Sequence, residues 1–341
     1  MTDAAASASV APVSPGARRA ARRRRDRRRA WLLFGLTVLT TSYAGLVLSP
    51  SYQQLESART LMGFALEGES TALMHLPTLV RQALSFPLAL LTILGCHEMG
   101  HYLQARRWHV PVSPPFFIPS VPPLGTFGAV IRMDVQKGVP PNALMHVAAS
   151  GPIAGMIPAL IALILGLAWS DVAPLPLDAD DAIFMQGGVL VKALEALFIG
   201  PPPPGYDVVW HPVAFAGWAG CFVTALNMLP IGQLDGGHVV YGLWPKRATT
   251  IAYAAVLLLG IAGFFYIGWW VIAALLLGVI GVKHPPIVRD NAPAHGAVRW
   301  LGFIALGLFV LTIHPAPISD SSVRDLVAWI QELWVYRPMG W

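Results

Sequence analysis

Long apolar stretches dominate the sequence, and several of them run for about 20 residues, the length that a helix needs to cross roughly 30 Å of hydrocarbon. The chain is 55% hydrophobic and only 12% charged, whereas soluble domains carry about a quarter charged residues. The sequence therefore predicts an all-α polytopic membrane protein with about six to seven transmembrane helices.

The predicted membrane spans differ in their flanking residues and in how strongly the sequence supports them. The two at 249–265 and 267–282 form a hairpin only if the chain turns near Tyr266 and Gly268. Residues 183–200 are apolar as well, but they contain Gln186, Lys192 and Glu195 and are followed by prolines. We expect that segment to be an interfacial or re-entrant helix that does not cross. The predicted spans are residues 30–49, 82–105, 143–169, 213–231, 249–265, 267–282 and 298–314.

Nine arginines lie between Arg18 and Arg29, directly before the first span. Such a block stays on the cytosolic side and faces anionic lipid, so we predict a cytosolic N-terminus in a bacterial inner membrane. An Arg- and Ser-rich start also resembles a transit peptide, which leaves an organellar membrane open. The block lacks interleaved aromatic residues, so the net charge of +5 does not indicate nucleic-acid binding.

Three regions follow from this pattern. Residues 1–29 form a disordered basic cytosolic N-terminus, residues 30–314 a transmembrane domain with its core at 82–242, and residues 315–341 an amphipathic C-terminal segment. Both cysteines, Cys96 and Cys221, lie inside apolar segments, and we expect them not to form a disulfide.

The run His97-Glu98-Met99-Gly100-His101 lies within the second predicted span. The spacing i, i+4 places both imidazoles on one face of a helix, where they can occupy two corners of a tetrahedral zinc site. The glutamate beside them is suited to act as a general base. Two histidines and a carboxylate are costly in lipid, which favours a metal or a water-filled cavity over incidental polar residues.

A catalytic zinc needs a third protein ligand, and Asp235 is the strongest candidate. Pro230 should end the fourth span before it, and Gly236 and Gly237 should let the backbone turn tightly. The second and fourth spans run in the same direction if residues 183–200 do not cross, so the histidines and Asp235 lie toward the same face. His238 is open to two interpretations, a partner of the metal ligands or a structural histidine.

The H-E-M-G-H run, followed by Asn227-Met-Leu-Pro-Ile-Gly-Gln-Leu-Asp235-Gly-Gly, resembles the site-2 protease family of intramembrane metalloproteases. The resemblance covers roughly Phe86 to Gly242 and includes Leu124–Ala129 and Ser150–Gly155. It implies one zinc per chain bound by His97, His101 and Asp235, a zinc-bound water activated by Glu98, and an auxiliary catalytic role for Asn227. No room exists for a PDZ insert between the third and fourth spans.

The same resemblance implies hydrolysis of peptide bonds in transmembrane protein substrates, within a lipid bilayer. It also implies a small membrane-associated β-hairpin near the active site, with a strand that receives extended substrate. The residues of that strand would be Gly125, Thr126, Phe127, Gly128 and Ala129. A re-entrant hairpin with a purely structural role is the alternative, and the sequence predicts no oligomeric state.

Two other functions compete with proteolysis. A divalent-metal transporter would place acidic or histidine ligands along a transmembrane path, yet the spans at 249–282 and 298–314 contain none except His314 at an end. An inactive scaffold would have no need of His97, Glu98, His101 and Asp235 together. The sequence therefore favours the protease.

Overall fold

The computed structural model describes residues 15–48, 68–133, 139–174, 185–285 and 292–318, which are mostly helical. A π-helical turn, Leu276–Ile280, follows α8, and a 3-10 turn, Gly296–Val298, precedes α9. The helices of this part of the chain are α1 (Pro15–Val47), α2 (Gly68–Arg107), α3 (Pro141–Ala168), α4 (Val189–Phe198), α5 (Pro212–Asn227), α6 (Asp235–Leu243), α7 (Ala248–Ala262), α8 (Gly268–Leu275) and α9 (Arg299–Thr312). The strands are β1 (Phe116–Pro119), β2 (Thr126–Val130), β3 (Asp171–Pro174) and β4 (Tyr206–Val209).

Three of these helices are long and apolar enough to cross a membrane, judged by length and composition. They comprise residues 24–47, 83–107 and 141–168, which match the first three predicted spans. The other four predicted spans correspond to shorter apolar helices at 212–227, 248–262, 268–279 and 296–312. The predicted helical architecture is therefore confirmed, whereas the number of six to seven spans is not.

The arginine block is helical, contrary to the prediction of disorder for residues 1–29. Helix α1 begins at Pro15 and continues through Arg18–Arg29 into the apolar stretch without a break. Arginine is a good helix former, and a helix already fixed by its apolar half extends into such a sequence at little cost. Residues 1–14 lie outside the described residues, as does most of the predicted amphipathic C-terminal segment, 319–341.

Helices α2, α3 and α5 form the centre of the molecule, and α3 packs against both of the others. The largest apolar cluster lies between them and contains Phe86, Leu90, Leu163, Phe215 and Trp218. Small residues bring the backbones together, because a Cβ added at Gly217 would contact the backbone of Leu163. This close packing fixes the second and fourth predicted spans against the third.

A second sheet, absent from our predictions, joins the C-terminal end of α3 to the N-terminal end of α5. Strand β3 pairs antiparallel with β4 from Asp171↔Val209 to Pro174↔Tyr206. The chain between the two strands therefore leaves and returns at one end of the helix bundle. Its helix α4 has 10 residues, about 15 Å in length, and a chain that leaves and returns at the same end does not make a single crossing. This agrees with the prediction that residues 183–200 do not cross.

The predicted hairpin of two helices between residues 249 and 282 is present. Helix α7 ends at Ala262, α8 begins at Gly268, and the two pack against each other. The indole N–H of Trp270 donates to the Gly260 carbonyl at 2.8 Å and ties the helices together across the turn. The turn lies at the predicted residues.

The predicted β-hairpin is also present, as strands β1 and β2. They pair antiparallel, with Phe116 opposite Val130 and Phe117 opposite Ala129, and the register shifts before Pro119↔Thr126. Strand β1 packs against α1, and β2 contacts α2. The hairpin therefore lies between the N-terminal helix and the helix that carries the H-E-x-x-H run.

Candidate metal centre

His97, His101 and Asp235 converge in the interior of the helix bundle. The Nε2 atoms of both histidines lie 3.1 Å from Oδ2 of Asp235, and both imidazoles are buried. Among the described residues, these three form the group of histidine and acidic side chains that could hold a metal ion, with their ligand atoms within 4.8 Å of one another. The structure thus brings together the three residues predicted as ligands.

Asp235 owes its position to the way the chain turns between α5 and α6. Helix α5 ends at Asn227, and Asp235 is the first residue of α6. A Cβ at Gly236 would overlap the Met228 carbonyl oxygen, and a Cβ at Gly237 would overlap that of Gly232. Neither glycine has a positive φ. We predicted that they allow a tight turn, but their role is to let the start of α6 approach the preceding loop.

The N-terminal half of α3 packs closely against the two histidine side chains. A Cβ at Gly151 would overlap the His101 ring, and one at Gly155 would contact the Cβ of His97 at 2.9 Å. The spacing of these glycines, i and i+4, matches the spacing of the two histidines on the facing helix. The Ser150–Gly155 segment is therefore a close helix-packing site whose partner is the H-E-x-x-H helix itself.

Hydrogen bonding orients His101 toward the centre. Its Nδ1 lies 2.7 Å from the Val147 carbonyl oxygen, which can only accept, so Nδ1 carries the proton. In the neutral imidazole, Nε2 then presents a lone pair to Asp235. Lone pairs converging in a buried site are typical of metal coordination, where a second hydrogen bond of this kind fixes the tautomer of the ligating histidine.

The separations fit a tetrahedral zinc ion. Zinc binds histidine nitrogen and carboxylate oxygen at about 2.0–2.2 Å, which places neighbouring ligand atoms roughly 3.3 Å apart. The two distances of 3.1 Å to Asp235 Oδ2 are close to that value. Two imidazoles and one carboxylate are also a donor set that zinc takes in catalytic sites, with a fourth position left for water or substrate.

Glu98 is buried next to this group without belonging to it. The backbone amide of Ile131, directly after β2, interacts with its carboxyl group. Both His101 and Asp235 interact with it electrostatically. Glu98 therefore lies between the candidate ligands and the β-hairpin, which suits a base better than a ligand.

The strand predicted to receive substrate, β2, has three buried and two exposed residues. Thr126 is buried, whereas Phe127 has 77% of its surface exposed. Thr126 Oγ1 donates to the Ile118 carbonyl at 2.8 Å and accepts from the Gly128 N–H at 3.1 Å. Gly128 has a φ of 102°, a value that side-chain-bearing residues rarely adopt. The strand is thus well ordered on one face and open on the other.

Two further residues singled out from the sequence lie around the loop between α5 and α6. Asn227 is half-buried at the last position of α5, and its role toward substrate stays a prediction. His238 is buried, and its Nδ1 lies 2.6 Å from Nε2 of His284, which stacks on Tyr241. The pairing gives His238 a structural contact outside the three-residue group.

Several features of the site were not predicted. The Val147 carbonyl and the Ile131 amide are backbone groups, so no residue type marks them. The glycine pair Gly151 and Gly155 carried a usable signal, because its spacing repeats that of the histidines. Cys96 and Cys221 are free thiols, as predicted.

Comparison with known proteins agrees with this geometry. The family model for peptidase family M50 matches residues 85–267. That range contains all three members of the buried group and Glu98, and it overlaps the resemblance noted in the sequence, Phe86 to Gly242. No solved structure matches the chain.

Several similar curated proteins come from plants. "Probable zinc metalloprotease EGY2, chloroplastic" of Oryza sativa subsp. indica is 30% identical over 239 residues, which is 68% of this chain and 43% of that protein. "Probable zinc metalloprotease EGY1, chloroplastic" of Oryza sativa subsp. japonica is 31% identical over 306 residues, 86% of this chain and 51% of that protein. The chain spans about half the length of these relatives or less.

Proposed function

Because the chain belongs to peptidase family M50, the site-2 protease family, we propose that it is an intramembrane zinc metalloendopeptidase. Its substrates are membrane-spanning proteins, cut within or beside the bilayer. The convergence of His97, His101 and Asp235 is the observation that carries the proposal, with both Nε2 atoms 3.1 Å from one carboxylate oxygen. The relatives that are named probable zinc metalloproteases support zinc as the metal.

Each residue of the site has a distinct task in this proposal. His97, His101 and Asp235 hold one zinc ion, and the Val147 carbonyl keeps the His101 ring in the binding orientation. When bound, zinc supplies a Lewis acid that polarises the scissile carbonyl and acidifies water. Glu98 takes the proton of the attacking water and passes it to the leaving amide nitrogen. The Ile131 amide holds the Glu98 carboxylate in place for both transfers.

Substrate reaches this site as an extended segment. A transmembrane helix hides its backbone groups, so it must unwind before a peptide bond can be attacked. The β1–β2 hairpin lies beside Glu98 and offers a strand on which the unwound segment can form backbone hydrogen bonds. Exposed Phe127 provides an apolar contact for the substrate side chains. Asn227 assists by positioning substrate or its developing oxyanion.

We further propose that the four shorter apolar helices also cross the membrane, giving seven spans in all. The arginine-rich start of α1 then stays on the cytosolic side of a bacterial inner membrane. The plant relatives are named chloroplastic, and in an organellar membrane the start of α1 stays on the side that corresponds to the cytosol. The β3–β4 sheet, which holds α3 and α5 together at one end, supports an antiparallel path for these two helices.

Replacing the base tests the function most simply. Glu98→Gln should lower cleavage of a single-span model substrate by about a hundredfold to ten-thousandfold, because a positioned general base is lost. The assay is mass spectrometry of products formed by purified protein in lipid vesicles, with and without a zinc chelator. Activity close to wild type in Glu98→Gln would refute the proposal.

A second partly buried carboxyl group provides the matched control. Glu195 accepts a hydrogen bond from the Trp210 indole at 2.9 Å, and burial raises the pKa of its carboxyl group. It lies on α4, at the opposite end of the bundle from the candidate centre. Glu195→Gln should leave cleavage unchanged, which would show that loss of Glu98 acts through the site rather than through folding.

A further inference from the structure

Helix α1 touches the β-hairpin through a charged pair near the cytosolic arginines. The Asp26 carboxylate lies 3.2 Å from the Arg132 guanidinium, and Arg132 also lies over the Phe116 ring. Asp26 is the one acidic residue among the arginines of the block, and it is buried while most of its described neighbours are exposed. An acidic residue that is selectively buried against a basic partner indicates a specific contact rather than a generic charged surface.

A second contact lies further along the same helix. Thr40 Oγ1 donates to the Gly125 carbonyl at 2.6 Å, at the start of the predicted substrate strand. Gly125 has a φ of 71°, and a Cβ there would overlap the backbone of Thr40. Asp26 and Thr40 are 14 residues apart, about 21 Å along the helix axis. Helix α1 therefore holds both ends of the hairpin.

Between these two contacts, α1 packs against strand β1. A groove of about 490 Å³ lies at the Asp26–Arg132 end, with Leu32, Leu33, Ile118 and Val130 in its lining. The rings of Phe34 and Phe117 meet at 5.1 Å on the inner side. Because apolar packing is not directional, the two polar contacts set the register of α1 against the hairpin.

We propose that α1 is a positioning element for substrate, which aligns the substrate strand with Glu98 through the Asp26–Arg132 and Thr40–Gly125 contacts. The hairpin connects α1 to Glu98, since Arg132 and Gly125 flank β2, β2 contacts α2, and the Ile131 amide interacts with Glu98. A hairpin freed from α1 loses its alignment to the base but leaves His97, His101 and Asp235 in place. This inference rests on the proposed function and adds positioning residues far from the metal ligands in sequence.

The test compares two charge reversals with their combination. Asp26→Arg and Arg132→Asp should each raise KM for the model substrate by about threefold to tenfold, because like charges replace the pair. Thr40→Val should raise KM as well, by about twofold to fivefold. The zinc content should stay near wild type in all of them. The double variant, Asp26→Arg with Arg132→Asp, restores opposite charges and should bring KM back toward wild type.

Hydrogen exchange of the full chain provides a readout that needs no cleavage. Amides of residues 126–130 should exchange faster in each single reversal and recover in the double variant. Arg28→Asp, an exposed charge reversal in the same helix, and Thr92→Val, which removes only an intrahelical bond, are the matched controls. Both should leave exchange and KM unchanged.

Unchanged exchange and KM in the single reversals, or no recovery in the double variant, would overturn the inference. Faster exchange without any rise in KM would also overturn it, because the hairpin would then move without affecting substrate. If wild-type protein cleaves nothing, the proposed function fails, yet the exchange measurement still decides whether α1 holds the hairpin.

Discussion

The two ends of helix α3 both rely on glycines that face another helix closely, but with different neighbours. At the N-terminal end, Gly151 and Gly155 face the imidazole of His101 and the side chain of His97. At the C-terminal end, Gly166 faces the backbone of Ala214 on α5. The first contact leaves room for polar side chains, whereas the second brings two backbones together.

Hydrogen bonding differs between the two ends in the same way. Near Gly166, side chains cap the chain: the Ser170 hydroxyl donates to Gly166 and accepts from the His211 N–H, and His211 caps the first turn of α5. Near Gly151, the Val147 carbonyl orients a histidine toward Asp235. Helix α3 therefore contributes to the metal centre at its N-terminal end, the site end, and to the packing of two helices at its C-terminal end, the joint end.

The largest expected difference between the two ends is the membrane face that each one meets. Single cysteines at Lys246 and Pro204, in a background with Cys96→Ala and Cys221→Ala, should react with an impermeant thiol reagent from opposite sides. Both positions are exposed, and they lie near the site end and the joint end respectively. A cysteine at Arg28 should label from the same side as Lys246. If the cysteines introduced at Lys246 and Pro204 were labelled from the same face of the membrane, the topology would be contradicted.

A methyl group added at the site end should weaken zinc binding. Gly151→Ala places a Cβ where the His101 ring lies, so the ring must move away from Asp235. We expect zinc affinity to fall by about a hundredfold, the upper range for a lost supporting contact. Competition with a chromophoric chelator measures the affinity on purified protein. Wild-type affinity in this variant would show that the glycine does not shape the centre.

The same substitution at the joint end should affect stability instead. Gly166→Ala forces the backbones of α3 and α5 apart and should lower the free energy of unfolding by about 1–3 kcal/mol. The folded fraction should still bind one zinc with the affinity of the wild type. Thermal unfolding and zinc content, measured on the same sample, separate the two effects. Loss of zinc affinity in Gly166→Ala would show that both ends of α3 support the metal centre and would contradict the comparison.

The sequence predicted the elements of the site because its signals are local. The i, i+4 spacing of His97 and His101 depends only on helix geometry, and an aspartate after a span-breaking proline marks the end of α5. Predicting that Asp235 meets the histidines required one assumption about topology, namely that residues 183–200 do not cross the membrane. The β3–β4 pairing supports that assumption, because it brings the chain back to the end of the bundle that it left.

The features that were missed depend on partners distant in sequence. Strands β3 and β4 have four residues each and pair across more than 30 positions, so neither shows a periodic pattern of its own. The His238–His284 contact joins residues 46 positions apart. The helical arginine block was misjudged for another reason, since composition indicates solvation and not backbone conformation. Long-range pairing and the extension of a helix already formed are the properties that pattern reading does not reveal.

Zinc content of the Asp235→Ala variant tests the central claim most directly, because Asp235 is the ligand that joins two distant parts of the chain. Wild-type protein and Glu98→Gln should each hold one zinc per chain, since Glu98 acts on water and not on the metal. Asp235→Ala should bind zinc far more weakly, while Asp171→Ala, at an exposed position of β3, should bind it normally. Full zinc occupancy with unchanged affinity in Asp235→Ala would contradict the three-residue centre.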